Sequence, residues 1–399
     1  FSDCSMPFLF PEFRRFATPL QHLLFSGLLA GLVLGGTATG LSVAESDPDR
    51  RQANIAFLSS SVARWVFGAL LMCSWLLNVV QLPMAFAGLA DSPEAARQSI
   101  KQLGGLAFLG HLYMISLPAL LLILRLQGKK VLPIILITFC ITFVSAFATS
   151  ERLSLIECLV AFGVFVGLYQ PQLIRISTAI FLGGVSIIFL ALNFLLRAPV
   201  LPPSMLDQAS AVLPKIAVGT LLTYYADTAN KLYFDMFTHY YNTDYPDKFY
   251  LTTPQSFLAR LEHGHEEEAG QASKKAYTLQ QGRYVTLDFL HGRNVMMTNP
   301  GGPAQDFSDF GWFFAIVIFI KFFLLGWIYR GAKNFGPLCI ACYPLFFVSA
   351  LDYPRLNLLY EVRDVMPLVV ACGVIPLTRS FYNRFGASES KVGGVCHVE

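Results

Sequence analysis

Charged side chains are what this sequence has least of. Asp, Glu, Lys and Arg together make 14% of its 399 residues, against about 25% in an ordinary soluble domain. A chain so short of charge cannot cover its surface with polar groups in water. The signs nearly cancel, at a formal +3, which excludes the strongly basic footprint of a nucleic-acid binder. Paired cysteines are also missing. Eight Cys are scattered along the chain, and Cys73, Cys140, Cys158, Cys339, Cys342 and Cys372 all sit inside apolar runs. Cys339 and Cys342 form a lone CxxC in an apolar segment with no second pair, so they read as small packing residues rather than a zinc or redox site. The first ten residues lack the basic stretch and apolar stretch of a cleavable leader. The two halves show no self-similarity.

Apolar residues, in contrast, are abundant. They make 54% of the chain, 35 of them Phe, and the mean hydropathy is +0.53. Crossing about 30 Å of hydrocarbon takes roughly 20 apolar residues in helix. The runs that qualify or nearly do are 19–43, 63–90, 104–126, 131–149, 153–170, 176–198, 310–329, 335–351 and 365–380. These predict an all-α, polytopic transmembrane bundle of about nine or more spans. The fifth, eighth and ninth are short, which predicts tilted, broken or re-entrant segments. The chain divides into helices one to six (1–198), a long polar loop (199–309), and helices seven to nine with a tail (310–399).

Lys and Arg in the short connections set the orientation. Arg50, Arg51, Arg125, Lys129, Lys130, Arg175, Arg330, Lys333, Arg379, Arg384 and Lys391 fall on one side. The other side holds Arg14, Arg15, Arg97, Lys101, Arg152, Arg355 and Arg363. The richer set is expected in the cytoplasm, with the long loop outside. That loop opens with AVLPKIAVGTLLTYYADTANKLYFDMFTHYY (211–241), an aromatic amphipathic stretch suited to a helix on the membrane surface. A polar segment, HGHEEEAGQASKKA, follows, and then GRYVTLDFLHGRN reads as strand or loop. The pair His263 and His265 beside three Glu reads as a solvated loop rather than a metal site.

The outer-side arginines carry the chemical signal. Arg152 lies in FATSERL between spans four and five, and Arg355 and Arg363 lie in LDYPRLNLLYEVRDVMP between spans eight and nine. Arg283 and Arg293 flank His291 in the long loop. Arginine at a membrane boundary is costly unless paired or solvated, and its fork matches phosphate oxygens. Several converging on one face would bind a pyrophosphate at headgroup level. Taken singly, each also reads as an interfacial anchor or an ion-pair partner of Glu151, Glu361 or Asp364. His291, in HGRN, is the first candidate general base, since neighbouring cations help keep an imidazole neutral. Asp227, Glu151 and His239 are alternatives. Tyr224, Tyr225, Tyr233, Tyr240 and Tyr241 would stack on sugar faces or anchor a surface helix. Lys321 lies inside span seven, where it either faces a polar cavity or snorkels, and His111 in span three reads as a satisfied interior histidine.

TNPGGPAQDFSDFGWFFAIVIFI (298–320), FATSERLSLIECLVAFGVF (147–165) and YYADTANKLY (224–233) together resemble the bacterial O-antigen and oligosaccharide repeat-unit polymerases of the Wzy type, over about residues 140 to 370. The resemblance implies a GT-C-type glycosyltransferase architecture in the bacterial inner membrane with a large structured periplasmic loop. It also implies a reaction, in which a growing glycan passes from undecaprenyl pyrophosphate to the non-reducing end of a new lipid-linked unit. Such an enzyme needs no cofactor or metal, because arginines meet the charge on the leaving pyrophosphate. Its partners would be the undecaprenyl-pyrophosphate-linked glycan, membrane lipid and a chain-length regulator. An O-antigen ligase would share nearly every feature and differ in its acceptor. A lipid-linked oligosaccharide flippase or transporter is expected to carry internal repeats and to lack a long structured loop. A membrane acyltransferase would need a His and Asp pairing within a span, which the sequence does not offer.

Overall fold

The computed structural model describes residues 19–43, 47–91, 109–149, 152–171, 302–353 and 362–386. Among them the chain is helical throughout, without strands. In chain order the elements are α1 (Pro19–Val43), α2 (Pro48–Ser59), α3 (Ser61–Asp91), α4 (Tyr113–Leu126), α5 (Leu132–Ala148), α6 (Arg152–Tyr169), α7 (Gly302–Phe310), α8 (Phe314–Lys333), α9 (Pro337–Asp352) and α10 (Val362–Phe381). A tight turn at Leu109–Leu112 leads into α4, and Gly311–Phe313 leads into α8.

Eight of the nine apolar runs are helices, and the sixth (176–198) lies outside the described residues, as does the loop from 199 to 301. Five helical stretches are long and apolar enough to cross a membrane, namely Leu23–Val43, Ser61–Leu89, Leu109–Leu126, Gly311–Lys333 and Val365–Arg384. Three shorter apolar helices, Leu132–Ala148, Leu153–Tyr169 and Pro337–Asp352, stand beside them among the described residues. The short fifth, eighth and ninth runs form continuous helices of 18, 16 and 20 residues, so none is broken.

Two helices stand where the sequence suggested only connections. α2 starts because Asp47 caps it: its carboxylate accepts from the amides of Asp49 (3.0 Å) and Arg50 (3.3 Å), with Pro48 in the first turn. It ends at Ser60, whose hydroxyl in turn accepts from the amide of Ala63 at the start of α3 (3.2 Å). α7 is a nine-residue amphipathic helix ahead of α8, with Pro303, Asp306 and Phe307 turned inward.

The core is built around α4. Every residue from Tyr113 to Leu124 is buried, so this helix is apolar all round and must be enclosed. α3, α6, α9 and α10 pack on it. Side chains such as Phe57, Phe67, Leu71, Cys158, Phe165, Ile340 and Cys342 close the shell. The outer faces keep Leu23, Leu24, Leu76, Ile316, Val369 and Leu377 exposed, which suits a lipid solvent rather than water. Among the described residues the cysteines are free, and Cys158 and Cys342 pack in the core. Cys339 fills the space over Gly331, where an added methyl would run into its sulfur.

α1 packs chiefly against α8, along a seam of small residues. A methyl on Gly36 would come within 2.6 Å of the Phe319 carbonyl oxygen. One on Gly40 would strike the Phe323 carbonyl, and one on Gly326 the Thr37 carbonyl. Gly36 and Gly40 form a GxxxG, which lets two backbones approach where lipid gives no hydrophobic drive. Thr37 and Thr39 return their hydroxyls to the carbonyls of Val33 and Gly35 (both 2.8 Å) and bring no unsatisfied group into the seam.

The helices alternate in direction, and contacts at the turns define two ends. At one end the Asn54 amide donates to the Asn334 carbonyl (3.1 Å), Arg64 to Gln127 (3.1 Å) and the Tyr169 hydroxyl to the Ala332 carbonyl (2.7 Å). This end carries Arg50, Arg51, Arg125, Lys129, Lys130, Arg330, Lys333, Arg379 and Arg384, the richer set of the sequence reading. α4, α6, α8 and α10 all begin at the opposite end.

The seam makes a sharp prediction. Gly40→Ala or Gly326→Ala should lower the unfolding midpoint of the purified protein in detergent by several degrees. Gly27→Ala and Gly31→Ala, which have nothing within 4 Å, should not lower it. Equal effects from both pairs would mean that the seam does not hold α1 in place.

Candidate functional site

A polar cluster is buried at the end where α4, α6, α8 and α10 begin. Glu157 of α6 is fully buried. Its Oε2 lies 2.7 Å from His111 Nδ1 and 2.9 Å from the Tyr113 hydroxyl, which also lies 2.8 Å from the Ser154 carbonyl. A carboxylate removed from water needs charge-assisted partners, and here an imidazole and a phenol supply them. With Glu157 ionised, Nδ1 of His111 carries a proton, and in the neutral ring the lone pair sits on Nε2. That tautomer is the one a histidine base uses when a carboxylate orients it.

The 109–112 turn that carries His111 is itself held by α3. The Gly110 carbonyl accepts from the Ser74 hydroxyl (2.5 Å) and from the Asn78 amide (2.9 Å). Ser74 Oγ accepts in turn from the Tyr113 amide (3.3 Å). The Ser145 hydroxyl on α5 donates to Asn78 Oδ1 (3.1 Å), and Trp75 Nε1 donates to Thr138 (3.2 Å). Four elements therefore fix the position of the imidazole. This is the satisfied interior histidine read from sequence, now with its partner identified.

A second cluster lies where α7 meets α8 and α9. Asp306 is fully buried, and its two oxygens take Lys321 Nζ and the Tyr353 hydroxyl, each at 2.5 Å. The ammonium stands 5.7 Å from the centroid of the Tyr353 ring. Around it Phe307, Phe314, Phe322 and Tyr353 make edge-to-face contacts. The Gly302 amide donates to the Tyr353 carbonyl (2.8 Å), and a methyl at Gly302 would overlap that tyrosine's ring. Of the two readings left open for Lys321, a polar cavity or snorkelling, the side chain takes the inward one: buried Asp306 of the preceding short helix neutralises it.

Arg152 is the first residue of α6 and Arg363 the second of α10. α6 packs on α4, and α10 packs on the 109–112 turn, so these two arginines enter the bundle at the end that holds Glu157 and His111. Glu157 follows Arg152 by five residues, about 7.5 Å along the helix axis. Glu151, Asp227, His239, His291, Arg283, Arg293, Arg355, Tyr224, Tyr225 and Tyr233 lie outside the described residues, as do His263 and His265. Sequence reasoning passed over Glu157 and Asp306. The first had a usable signal, an acid inside the apolar run LSLIECLVAF. Among the described residues no three His, Cys, Asp or Glu side chains come together as a metal site requires.

Removing one partner of a buried ion pair strands the other. Asp306→Asn or Lys321→Met alone should therefore cost about 3–5 kcal/mol, read as lost resistance to unfolding in detergent. The double variant Asp306→Leu/Lys321→Met should recover most of that loss. Strictly additive losses would rule out a direct coupling.

No family model, no curated protein and no solved structure matches this chain.

Proposed function

We propose that the chain is a membrane glycosyltransferase that joins undecaprenyl-pyrophosphate-linked oligosaccharide repeat units into a surface polysaccharide such as O-antigen, at the periplasmic face of a bacterial inner membrane. The observation that carries this reading is the placement of the buried Glu157–His111–Tyr113 cluster at the end of the bundle where Arg152 and Arg363 enter.

In the proposed reaction a hydroxyl of one lipid-linked unit attacks the anomeric carbon of the growing glycan. The bond from that carbon to the pyrophosphate oxygen breaks, and the lipid pyrophosphate leaves. Its charge is met by Arg152 and Arg363, joined by Arg283, Arg293 and Arg355 from the connecting segments. Both α6 and α10 direct their N-termini, the positive ends of their dipoles, toward that side. The attacking hydroxyl gives its proton to a base. His291, Asp227 and Glu151 remain candidates, and His111 joins them: Glu157 orients its ring and would stabilise the imidazolium formed by proton transfer. Tyr224, Tyr225 and Tyr233 would present faces for the sugars. The large periplasmic loop and GT-C-type bundle that the resemblance implies would suit the requirement that water be kept from the glycosyl donor.

One observation favours a second class. The buried Asp306–Lys321 pair is the kind of intramembrane charge that marks an ion or proton pathway in transporters, so a lipid-linked oligosaccharide transporter is the rival. An O-antigen ligase differs only in the acceptor.

A reconstituted reaction with native undecaprenyl-pyrophosphate repeat units and EDTA separates these. The expected product is a ladder of lengthening lipid-linked glycan. Arg152→Ala, Arg363→Ala and Glu157→Gln should each slow it by about a hundredfold or more while the protein remains folded. Transfer only when lipid A core is supplied would make the protein a ligase. Movement of the lipid across a liposome bilayer without any transfer would replace the enzyme with a transporter.

A further inference from the structure

The opposite end of the bundle holds a group of cations that the reaction above does not use. α2 lies across this end. Its Asn54 is tied to the Asn334 carbonyl, and its Phe57 stacks edge-on against Tyr382 (5.5 Å between centroids). This brings Arg50 and Arg51 of α2 to the α8–α9 turn and to the last turn of α10. The Arg51 guanidinium lies 5.3 Å from the centroid of the Phe335 ring. Arg50 is close enough to act electrostatically both on Arg379 and on Cys339, in the first turn of α9. Two arginines that repel each other have been brought together by the packing. Arg330 lies at the same end in the last turn of α8, and its buried Nε has no hydrogen-bond partner among the described residues.

Nothing among the described residues neutralises the group. No carboxylate there forms an ion pair with Arg50, Arg51, Arg330 or Arg379. Asp47 is occupied in capping α2. The last carbonyls of α8 are also taken: Arg330 by the Asn334 amide, Gly331 by the Gly336 amide, and Ala332 by both Phe335 and Tyr169. α9 begins at the same place with Gly336 as an N-cap that offers no side chain, so its positive end adds to the field. Four arginines on neighbouring turns and a helix N-terminus, with no ion-pair partner among the described residues although Asp47 and Asp49 open α2, form a site that a phosphate would complete. The position at a helix boundary, beside the exposed apolar faces of α10, is where headgroups of anionic lipids lie.

We propose that this end binds the phosphate of an anionic phospholipid headgroup through Arg50, Arg51, Arg330 and Arg379, and that the lipid fastens α2 onto the α8–α9 turn and the end of α10.

The test uses the full-length protein in an uncharged detergent, followed by thermal unfolding with added phosphatidylglycerol, phosphatidylcholine or inorganic phosphate. Phosphatidylglycerol should raise the midpoint of the wild type by about 4 °C or more, and phosphatidylcholine should not. The variant Arg50→Gln/Arg379→Gln should melt at or above the wild type in detergent alone, because a repulsion has been removed. The same variant should lose at least half of the phosphatidylglycerol shift, and Arg51→Gln should lose part of it. Equal shifts from the two lipids overturn the proposal, as does a full phosphatidylglycerol shift in the double variant. So does a double variant that melts below the wild type without lipid, since the arginines would then be serving the fold itself. Stabilisation by millimolar inorganic phosphate equal to that by phosphatidylglycerol would overturn the lipid as the source and leave a soluble phosphate ligand.

Discussion

Hydrocarbon offers no hydrogen bonds, and each polar group that enters it must arrive with its own partner. This constraint explains why so many of the contacts between helices here are polar while their surroundings are apolar. Ser74, Asn78 and Ser145 join α3, α5 and the 109–112 turn through one chain of hydrogen bonds. Trp75 reaches Thr138, and Tyr169 reaches a carbonyl at the end of α8. Between like apolar faces lipid supplies no preference, so register is set by these bonds and by the close approach of small residues. Glu157 and Asp306, the two carboxylates with no exposure at all among the described residues, are the extreme cases. Each needs two donors from other elements, and those donors dictate how α4, α6, α7, α8 and α9 sit.

Helix termini meet the same demand. α8 ends with Phe335 in the left-handed region (φ 58°), where a glycine is usual. The Gly336 amide returns to the Gly331 carbonyl and the Phe335 amide to that of Ala332, so the turn leaves few carbonyls wanting. Such a backbone costs of order 1–3 kcal/mol in a residue with a side chain. The ring of Phe335 offsets part of this by stacking on Tyr169 (5.4 Å) and by lying under Arg51.

Much of the architecture was legible because long apolar runs have one solution in lipid. The eight described runs became helices whose ends agree to within a few residues. α2 and α7 were not legible in that way, since PDRRQANIAFLS and GPAQDFSDF carry too few apolar residues to register as spans. Their helical state follows from capping by Asp47 and from docking by Asp306, which are contacts rather than periodicities. The pairing of Lys321 with Asp306 spans 15 residues across an intervening turn, and that of His111 with Glu157 spans 46 residues. Neither distance follows any helical spacing. Of the proposed site, Arg152 and Arg363 were nominated from sequence by their position at span boundaries. Glu157 is hidden among apolar neighbours in LSLIECLVAF, and its partner His111 comes from a turn 46 residues away.

The glycine seam has a consequence for how the chain is made. α1 is synthesised long before α8, because Gly326, the residue that closes its seam, follows Gly36 by roughly 290 residues. At about 5–20 residues per second, the interval is on the order of 15 to 60 seconds. Throughout it α1 has no α8 to rest on, and its grooved face stays open to lipid or to whatever insertion machinery is at hand. A helix that leaves the ribosome early is thus among the last to find its place.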